Sequence, residues 1–302
     1  QALDAGFCVP NSCNDGRCGA CIGTLIEGDL RRDQTEFFLQ DRSDEYAFLA
    51  CCCSAATPVT LEFNRLYPDI FPPARKTIGK IRMTELVSEQ FARFRIRLRP
   101  GTNFNFIAGQ FISISTQNIT KRMYSIASFE KNNDQFDIII SKVANGKMSD
   151  FLFSDTKSEK LIMLEGPNGS FHLPYENFKS IECFATGSGI APLLSILDHL
   201  SIKNDPRISK IRIFWGYRYE KDGNIDIEAL YPGVDLRRFC SRGIDSRSTG
   251  KYISESDFDK YYHPNNLYLA CGNPFMIDDL SKKLHLRGFN LQNLYYDRFL
   301  RG

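Results

Sequence analysis

Histidine is scarce: His172, His199, His263 and His285 are the only ones in 302 residues. They show no metal-ligand spacing, so each reads as a structural or surface residue, and chemistry resting on a histidine acid or base is not indicated. Neither sign of charge is in excess. A net charge of +2 gives no case for nucleic acid as a partner. No apolar run approaches the ~20 residues that a membrane-spanning helix needs. Low-complexity tracts and internal repeats are missing too. What remains, 42% hydrophobic and 25% charged residues, is ordinary for a globular chain. The length suits two or three domains, and the expected setting is the cytoplasm.

Cysteine is plentiful, at ten residues. Disulfide frameworks belong to small secreted chains, and this chain is not small. Structural zinc prefers paired C-x2-C knuckles, and only one C-x2-C occurs here. Cys13, Cys18 and Cys21 follow C-x4-C-x2-C, and Cys51 comes after a further 29 residues. That is the plant-type [2Fe–2S] arrangement, in which four thiolates hold two irons. Small residues and glycines in Ser12–Cys21 let the backbone curl and aim N–H groups at sulfur. Cys51 is taken as the fourth ligand because it follows the apolar lead-in Phe48-Leu49-Ala50. Cys52 and Cys53 are read as packing thiols near it, and Cys8 as a buried structural thiol.

The chain divides into stretches of different texture. Residues 1–66 carry the four cysteines and end near the strand-like Val59–Phe63. Residues 67–75 hold Pro68, Pro72 and Pro73, which predict a linker without regular structure. Residues 76–176 are strand-rich. Phe94, Ile96 and Leu98 alternate with Arg93, Arg95, Arg97 and Arg99 at a period of two, and further short strands are predicted at 110–115, 136–142 and 160–164. The expectation is an antiparallel β-barrel. The arginine row is read as the wet face of a strand rather than a docking surface. Residues 177–302 alternate strands (183–186, 211–216, 236–241, 267–271, 294–299) with helices, the pattern of a doubly wound parallel α/β domain.

This last segment opens on Ala185-Thr186-Gly187-Ser188-Gly189-Ile190-Ala191-Pro192. A strand runs into a glycine turn and then a helix, which lets backbone approach a pyrophosphate at a helix N-terminus. The third glycine of G-x-G-x-x-G is absent. Ser188 does not lie in G-x-S-x-G, so a hydrolase nucleophile is excluded.

Arg122-Met123-Tyr124-Ser125, Gly146-Lys147-Met148-Ser149, Thr186–Pro192 and Cys271-Gly272-Asn273-Pro274 occur in that order. Together they resemble the ferredoxin–NADP reductase superfamily, over nearly the whole chain. The resemblance implies a fused protein: a partial β-grasp [2Fe–2S] ferredoxin domain (1–66), an FAD-binding barrel (76–176) and an NAD(P)H-binding domain (177–302). It implies that Arg122 holds a flavin phosphate, that Tyr124 packs on the isoalloxazine and that Ser125 bonds near flavin N5. Gly146, Met148 and Ser149 would face the FAD pyrophosphate. Thr186, Gly187, Ser188 and Gly189 would bind the dinucleotide. Cys271 and Gly272 would sit by the nicotinamide, with Phe299, in the aromatic segment Tyr295–Phe299, as the ring near it. Ser125, Cys271 and Phe299 are the expected catalytic residues. Domains of this kind begin with a β-hairpin, whereas residue 1 is expected to fall already in the helix that follows it, at Gln1–Gly6, so the hairpin is expected to be missing from the sequence as given.

The parts imply a mechanism. NAD(P)H gives up two electrons at once, a [2Fe–2S] cluster takes one, and the flavin mediates; the chemistry is the cofactors' and the protein supplies orientation and electrostatics. The acceptor is expected to be another protein: a nucleotide-sugar dehydrase of deoxysugar synthesis, toward which Cys51-Cys52-Cys53-Ser54 and Phe63–Pro68 lean, or an oxygenase component. A redox-sensing module without turnover is the alternative of another class, but a sensor has no need of a nicotinamide pocket. A 2′-phosphate would want a cation after the third α/β strand, where Arg242 and Arg247 lie, and this tilts the expectation to NADPH.

Overall fold

The computed structural model describes residues 4–32, 46–130, 134–176, 178–255, 260–289 and 291–300. The cysteine-bearing segment holds β1 (Phe7–Cys8), β2 (Ile22–Glu27), β3 (Leu30–Arg32), β4 (Ala47–Leu49), β5 (Cys53–Ala55), β6 (Thr60–Glu62) and β7 (Tyr67–Pro68). These pair antiparallel as small sheets, in the orders β4-β2-β6, β3-β5 and β1-β7. Asp4–Gly6 form a turn rather than the expected helix, and Gln1–Leu3 lie outside the described residues.

The expected linker is not free of structure. Tyr67 and Pro68 pair with Cys8 and Phe7, an edge position where a proline without an N–H is tolerated. Tyr67 is buried, and its ring meets Phe71, His172 and Tyr295 at centroid distances of 5.8, 5.1 and 6.0 Å. Arg65 lies 3.6 Å over the Tyr295 ring. Proline content could not show that an aromatic surface was waiting for this stretch.

The barrel is built from β8 (Arg75–Ser88), β9 (Phe91–Leu98), β10 (Phe111–Ser115), β11 (Arg122–Ser125), β12 (Gln135–Ser141) and β13 (Lys160–Asn168), with α1 (Lys147–Phe153) before the last strand. The order is β11-β10-β13-β8-β9-β12, and an Ile126–Ile138 bridge nearly closes it. Phe94 and Ile96 point into an apolar core with Ile81, Phe136 and Ile138. The alternating arginines face the other side and find carboxylates. Arg93 bonds Glu85 at 3.3 Å, Arg95 pairs with Glu130 at 3.1 Å and with the buried Asp137, and Arg97 pairs with Glu159. The strand's polar face is there, but only Arg97 of these three is exposed, and Arg93 and Arg95 are half-buried in cross-strand ion pairs.

The third segment is a parallel sheet, β14 (Ile181–Thr186), β15 (Ile211–Tyr217), β16 (Asp235–Cys240), β17 (Ser248–Gly250), β18 (Leu267–Gly272) and β19 (Leu294–Arg298), with α2 (Ile190–Ile202), α3 (Ile227–Leu230) and α4 (Pro274–Leu286). Its order is β17-β16-β15-β14-β18-β19. Residues Ile181–Ala185 and all of β18 are buried, as helix-covered parallel strands require. Two expected helices shrink. Asp226 caps α3 by accepting from Ala229 N–H at 3.1 Å, and Pro232-Gly233 follow at once and stop it. Between β16 and β18 the described residues hold β17 and a 3-10 turn at Ile253–Glu255. Gly243 and Gly250 interrupt that stretch, and it has no apolar stripe for a helix to bury.

Candidate functional site

Cys13, Cys18 and Cys21 are carried by a tight loop in which Asn14, Gly16 and Gly19 adopt φ of 55°, 78° and 71°. Left-handed backbone at three positions winds the chain round its own sulfurs. Cys18 N–H donates to Cys13 Sγ at 3.3 Å and Ala20 N–H to Cys18 Sγ at 3.5 Å. Ala50 N–H donates to Cys21 O at 3.0 Å and so brings the second cysteine run alongside the loop. There Cys21 and Cys51 Sγ stand 3.3 Å apart. The four thiols thus fall into two pairs, Cys13 with Cys18 and Cys21 with Cys51. A hydrogen bond shared by the first pair lowers Cys18 and raises Cys13. Burial pushes Cys21 up to about 12. Among the described residues no three Cys, His, Asp or Glu side chains converge on a single metal ion. Two dithiol pairs fit a two-iron centre better than a mononuclear zinc. Cys52 is buried with its Sγ 3.6 Å from Cys51 Sγ, whereas Cys53 pairs with Arg32 in a strand. Cys8, expected to be buried, is half-buried.

Arg122, Tyr124 and Ser125 lie along β11. The Arg122 guanidinium is exposed and is steadied from behind by Thr120 Oγ1 at 3.1 Å and Lys121 O at 3.0 Å. Tyr124 is half-buried, and burial raises its phenol to about 12. Ser125 is buried and faces Phe111 across the ladder. An exposed guanidinium and an aromatic ring two residues apart, on one face of the strand, suit a phosphate with a planar ring behind it. Gly146 precedes α1. Ser149 Oγ accepts from Val143 N–H at 3.0 Å and so closes the loop, while the Met148 side chain is buried in the barrel core. Only backbone groups of Met148 are therefore available to a ligand.

The cysteine loop is tied to this barrel. Phe111 packs on Gly169, where an added Cβ would meet its ring at 2.7 Å. The next residue, Ser170, donates its N–H to Asn11 O at 3.0 Å and accepts Asn11 N–H on its hydroxyl at 2.9 Å.

The glycine turn sits at the carboxyl ends of β14 and β18, where the sheet order runs out in both directions, the usual place for a dinucleotide. Gly187 has φ +53° and its carbonyl takes the Trp215 indole N–H at 3.1 Å. A Cβ on Gly189 would lie 2.4 Å from Cys271 O, and one on Gly272 2.4 Å from Thr186 Oγ1. Asn273 N–H donates to Thr186 Oγ1 at 2.7 Å, and Phe299 N–H to Gly272 O at 2.8 Å. Thr186, Gly187, Ser188, Gly189, Cys271, Gly272 and Phe299 are therefore one neighbourhood. The Cys271 thiol, however, is wholly buried, which pushes it well above the usual thiol range. It faces the core rather than the open end of the sheet.

Arg242 and Arg247 are placed differently. Arg242 is exposed in the loop after β16, fixed through its N–H to Arg218 O at 2.7 Å. Arg247 forks onto the buried Asp245 at 3.1 and 3.2 Å, and Tyr217 OH donates to the same carboxylate at 2.5 Å. Burial pushes Asp245 up, but these hydrogen bonds outweigh it and hold the acid below its ordinary value. Arg247 is thus already committed within the fold.

Sequence reasoning missed the ties between distant segments. Ser12 Oγ donates to the buried Asp297 at 2.8 Å and Arg298 Nη1 to Cys18 O at 2.9 Å. Burial raises Asp297 to about 6. Separations of 285 and 280 residues leave no local signal.

Family models match in the same order as these sites: a 2Fe-2S iron-sulfur cluster binding domain over residues 1–56, an oxidoreductase FAD-binding domain over 79–173 and an oxidoreductase NAD-binding domain over 184–282. The chain is 34% identical to the CDP-6-deoxy-L-threo-D-glycero-4-hexulose-3-dehydrase reductase of Yersinia pseudotuberculosis, over 99% of this chain and 92% of that protein. It is 30% identical to the terephthalate 1,2-dioxygenase reductase component 2 of a Comamonas species, over 72% of this chain and 64% of that one. Among solved structures, the cytochrome P450 reductase GcoB of Amycolatopsis has the same fold, with a TM-score of 0.79 at 20% identity over 99% and 92% of the two chains. No helix of the described residues is long and apolar enough to cross a membrane. With its iron–sulfur, flavin and nicotinamide domains in this order, the chain belongs to the ferredoxin–NADP reductase superfamily as a fused iron–sulfur flavoprotein reductase.

Proposed function

We propose that this reductase passes electrons from NAD(P)H to a nucleotide-sugar dehydrase of deoxysugar synthesis, working in the cytoplasm. The observation that carries the acceptor is the 34% identity to a hexulose-3-dehydrase reductase along 99% of the chain, cysteine loop included. Oxygenase reductase components match at 30% identity over 72% of the chain or at 24–25% over 98–99% of it, and an oxygenase component is the second reading.

Cys13, Cys18, Cys21 and Cys51 would hold the cluster through their thiolates. Bound flavin supplies the means to accept electrons in pairs from the nicotinamide and release them singly to the cluster. The protein's part is placement. Arg122 holds a flavin phosphate with its exposed guanidinium, Tyr124 offers its face to the ring, and Ser125 offers a hydroxyl to the flavin. The backbone at Gly146, Met148 and Ser149 takes the pyrophosphate. Thr186, Gly187, Ser188 and Gly189 admit the dinucleotide where no side chain intrudes. Phe299, anchored through its N–H to Gly272, covers the site against water. Cys271 acts through its backbone and through the close packing of its carbonyl on Gly189. The exposed Arg242 favours NADPH. Domain boundaries at 66, 75 and 176 belong to this proposal, and in the stretch between the first two Tyr67 and Phe71 pack on His172.

The test is acceptor choice. Reduction of a pyridoxamine-phosphate-dependent sugar dehydrase by NAD(P)H, assayed beside reduction of an oxygenase component, should favour the dehydrase. Equal or faster reduction of the oxygenase would move the protein to the second reading. Flavin that stays oxidised under excess NADH and NADPH would remove both.

A further inference from the structure

The last strand of the nucleotide domain touches the cysteine loop at two points. In β19, Asp297 lies opposite Cys271 and Arg298 opposite Gly272, so both residues sit at the end of the sheet that carries the nucleotide turn. Asp297 is 5% exposed and accepts the Ser12 hydroxyl, one residue before Cys13. Arg298, with its side chain 7% exposed, donates Nη1 to Cys18 O at 2.9 Å and Nη2 to Asp278 Oδ1 of α4 at 2.5 Å, and its Cζ lies 4.8 Å over the Tyr296 ring. One guanidinium thus spans from α4 to the carbonyl of Cys18. Its planar fork fits this use, because two acceptors in different directions are held at once. The other flank of the loop is fixed to the barrel through Asn11 and Ser170.

We propose that Arg298 is a positioning residue: it fixes the cysteine loop on β19 and thereby sets where the cluster stands relative to the flavin and nicotinamide sites. The inference rests on the proposed cluster reading for its consequence, though its geometry does not. In the step it serves, one electron leaves the flavin and one enters the cluster, the nicotinamide having supplied the pair; no bond or proton moves at Arg298. A guanidinium serving only to anchor β19 on α4 would need Asp278 and not Cys18. The bond to a carbonyl flanked by ligand positions is what points to the loop.

Amide hydrogen exchange on the full chain, with and without iron, reads the tie directly. In Arg298→Ala, peptides covering 11–21 should exchange at least about tenfold faster, the amount expected for one lost charge-assisted hydrogen bond, while peptides of β14 and β15 keep wild-type protection. Arg298→Lys keeps the charge without the fork and should fall between. Ser12→Ala, which removes the hydroxyl from Asp297 and leaves Arg298 in place, should loosen the same peptides to a smaller degree. With NAD(P)H in anaerobic stopped flow, flavin bleaching should keep its rate in Arg298→Ala while cluster bleaching slows. Unchanged exchange at 11–21, parallel loosening of β14 and β15, or equal slowing of both bleaching phases would each overturn the proposal. Failure of the cluster reading shows separately, as a wild-type protein that binds no iron, and exchange in that protein still decides the tie.

Discussion

At the centre of the nucleotide domain Ile181–Ala185 and the whole of β18 are buried, and the core behind them gathers residues from the barrel, the sheet and two helices. In the cysteine-bearing region the described residues gather a core of Cys21, Leu49 and Cys52, with Val9, Ile22, Ala50 and Cys51 partly covering it. The two regions are therefore stabilised in different ways. The first is held by apolar burial, roughly 25 cal/mol for each Å² removed from water. The second gathers a smaller apolar cluster among its described residues, and several of its buried groups are thiols. Such a region gains its order from bonds to metal and from docking on its larger neighbours through Asn11, Ser12, Cys18 and Tyr67.

The sharpest way to break this comparison is to remove the metal ligation. Cys51→Ser should destroy or grossly distort the [2Fe–2S] absorbance and paramagnetic signals, while Cys52→Ser and Cys53→Ser leave them. Hydrogen exchange of 4–32 should rise in the Cys51 variant, and that of β14 and β18 should not. Should Cys53→Ser abolish the cluster and Cys51→Ser spare it, the ligand assignment is wrong. Should β14 loosen along with the loop, the two regions do not differ as argued.

Next in size is the docking of Tyr67. Its ring packs among Phe71, His172 and Tyr295, and truncating a buried aromatic residue costs about 3–5 kcal/mol. Tyr67→Ala should lower the melting temperature without changing iron content. A chain cut before Arg65 should keep its flavin and still reduce ferricyanide, whereas a cut after Ile70 should be markedly less stable. Equal stability of the two truncated chains would show that residues 67–70 are the free linker their prolines suggested.

Within the larger region, Arg122→Ala tests the flavin cradle. One charge-assisted hydrogen bond to phosphate is worth roughly 1.5–3 kcal/mol, so FAD affinity should fall at least about tenfold. Flavin content unchanged after extensive dialysis would sink that assignment.

The contrast also explains which features could be read in advance. Alternation in Phe94–Leu98 and continuous burial in β14 are local patterns imposed by sheets, so barrel and parallel sheet were legible. Gly189 and Gly272 were legible as glycines because crowding leaves room for nothing larger, with a Cβ at either one meeting a neighbour at 2.4 Å, and Gly187 because its φ of +53° is one that side-chain-bearing residues rarely adopt. The cysteine spacing was legible because one loop holds three of the thiols. What was not legible depends on partners far off in sequence: Tyr67 meeting Tyr295, Ser12 meeting Asp297, Arg298 meeting Cys18. The burial of the Cys271 thiol was not legible either, since a motif names a residue and not the direction of its side chain.

The smallest expected effect separates two arginines that looked equivalent in sequence. Arg242 is exposed, and its guanidinium makes no ion pair among the described residues. Arg247 is spent on Asp245, a carboxylate with no exposed surface. The prediction is that the first and not the second meets a 2′-phosphate. An exposed ion pair is worth up to about 1 kcal/mol, so Arg242→Ala should reduce the ratio of kcat/KM for NADPH over NADH by up to about fivefold, with little change in melting temperature. Arg247→Ala should do the reverse. It strips a buried acid of its main cation, which raises the pKa of Asp245 and lowers stability, while the cofactor ratio stays put. Asp245 lies below its ordinary value in the wild type, so its contribution is present near neutral pH and is lost as pH falls through that depressed value. The wild-type and Arg247→Ala melting temperatures should therefore converge on acidification. A cofactor ratio that moves with Arg247 and not with Arg242 would reverse the assignment and place the phosphate on the far side of the loop.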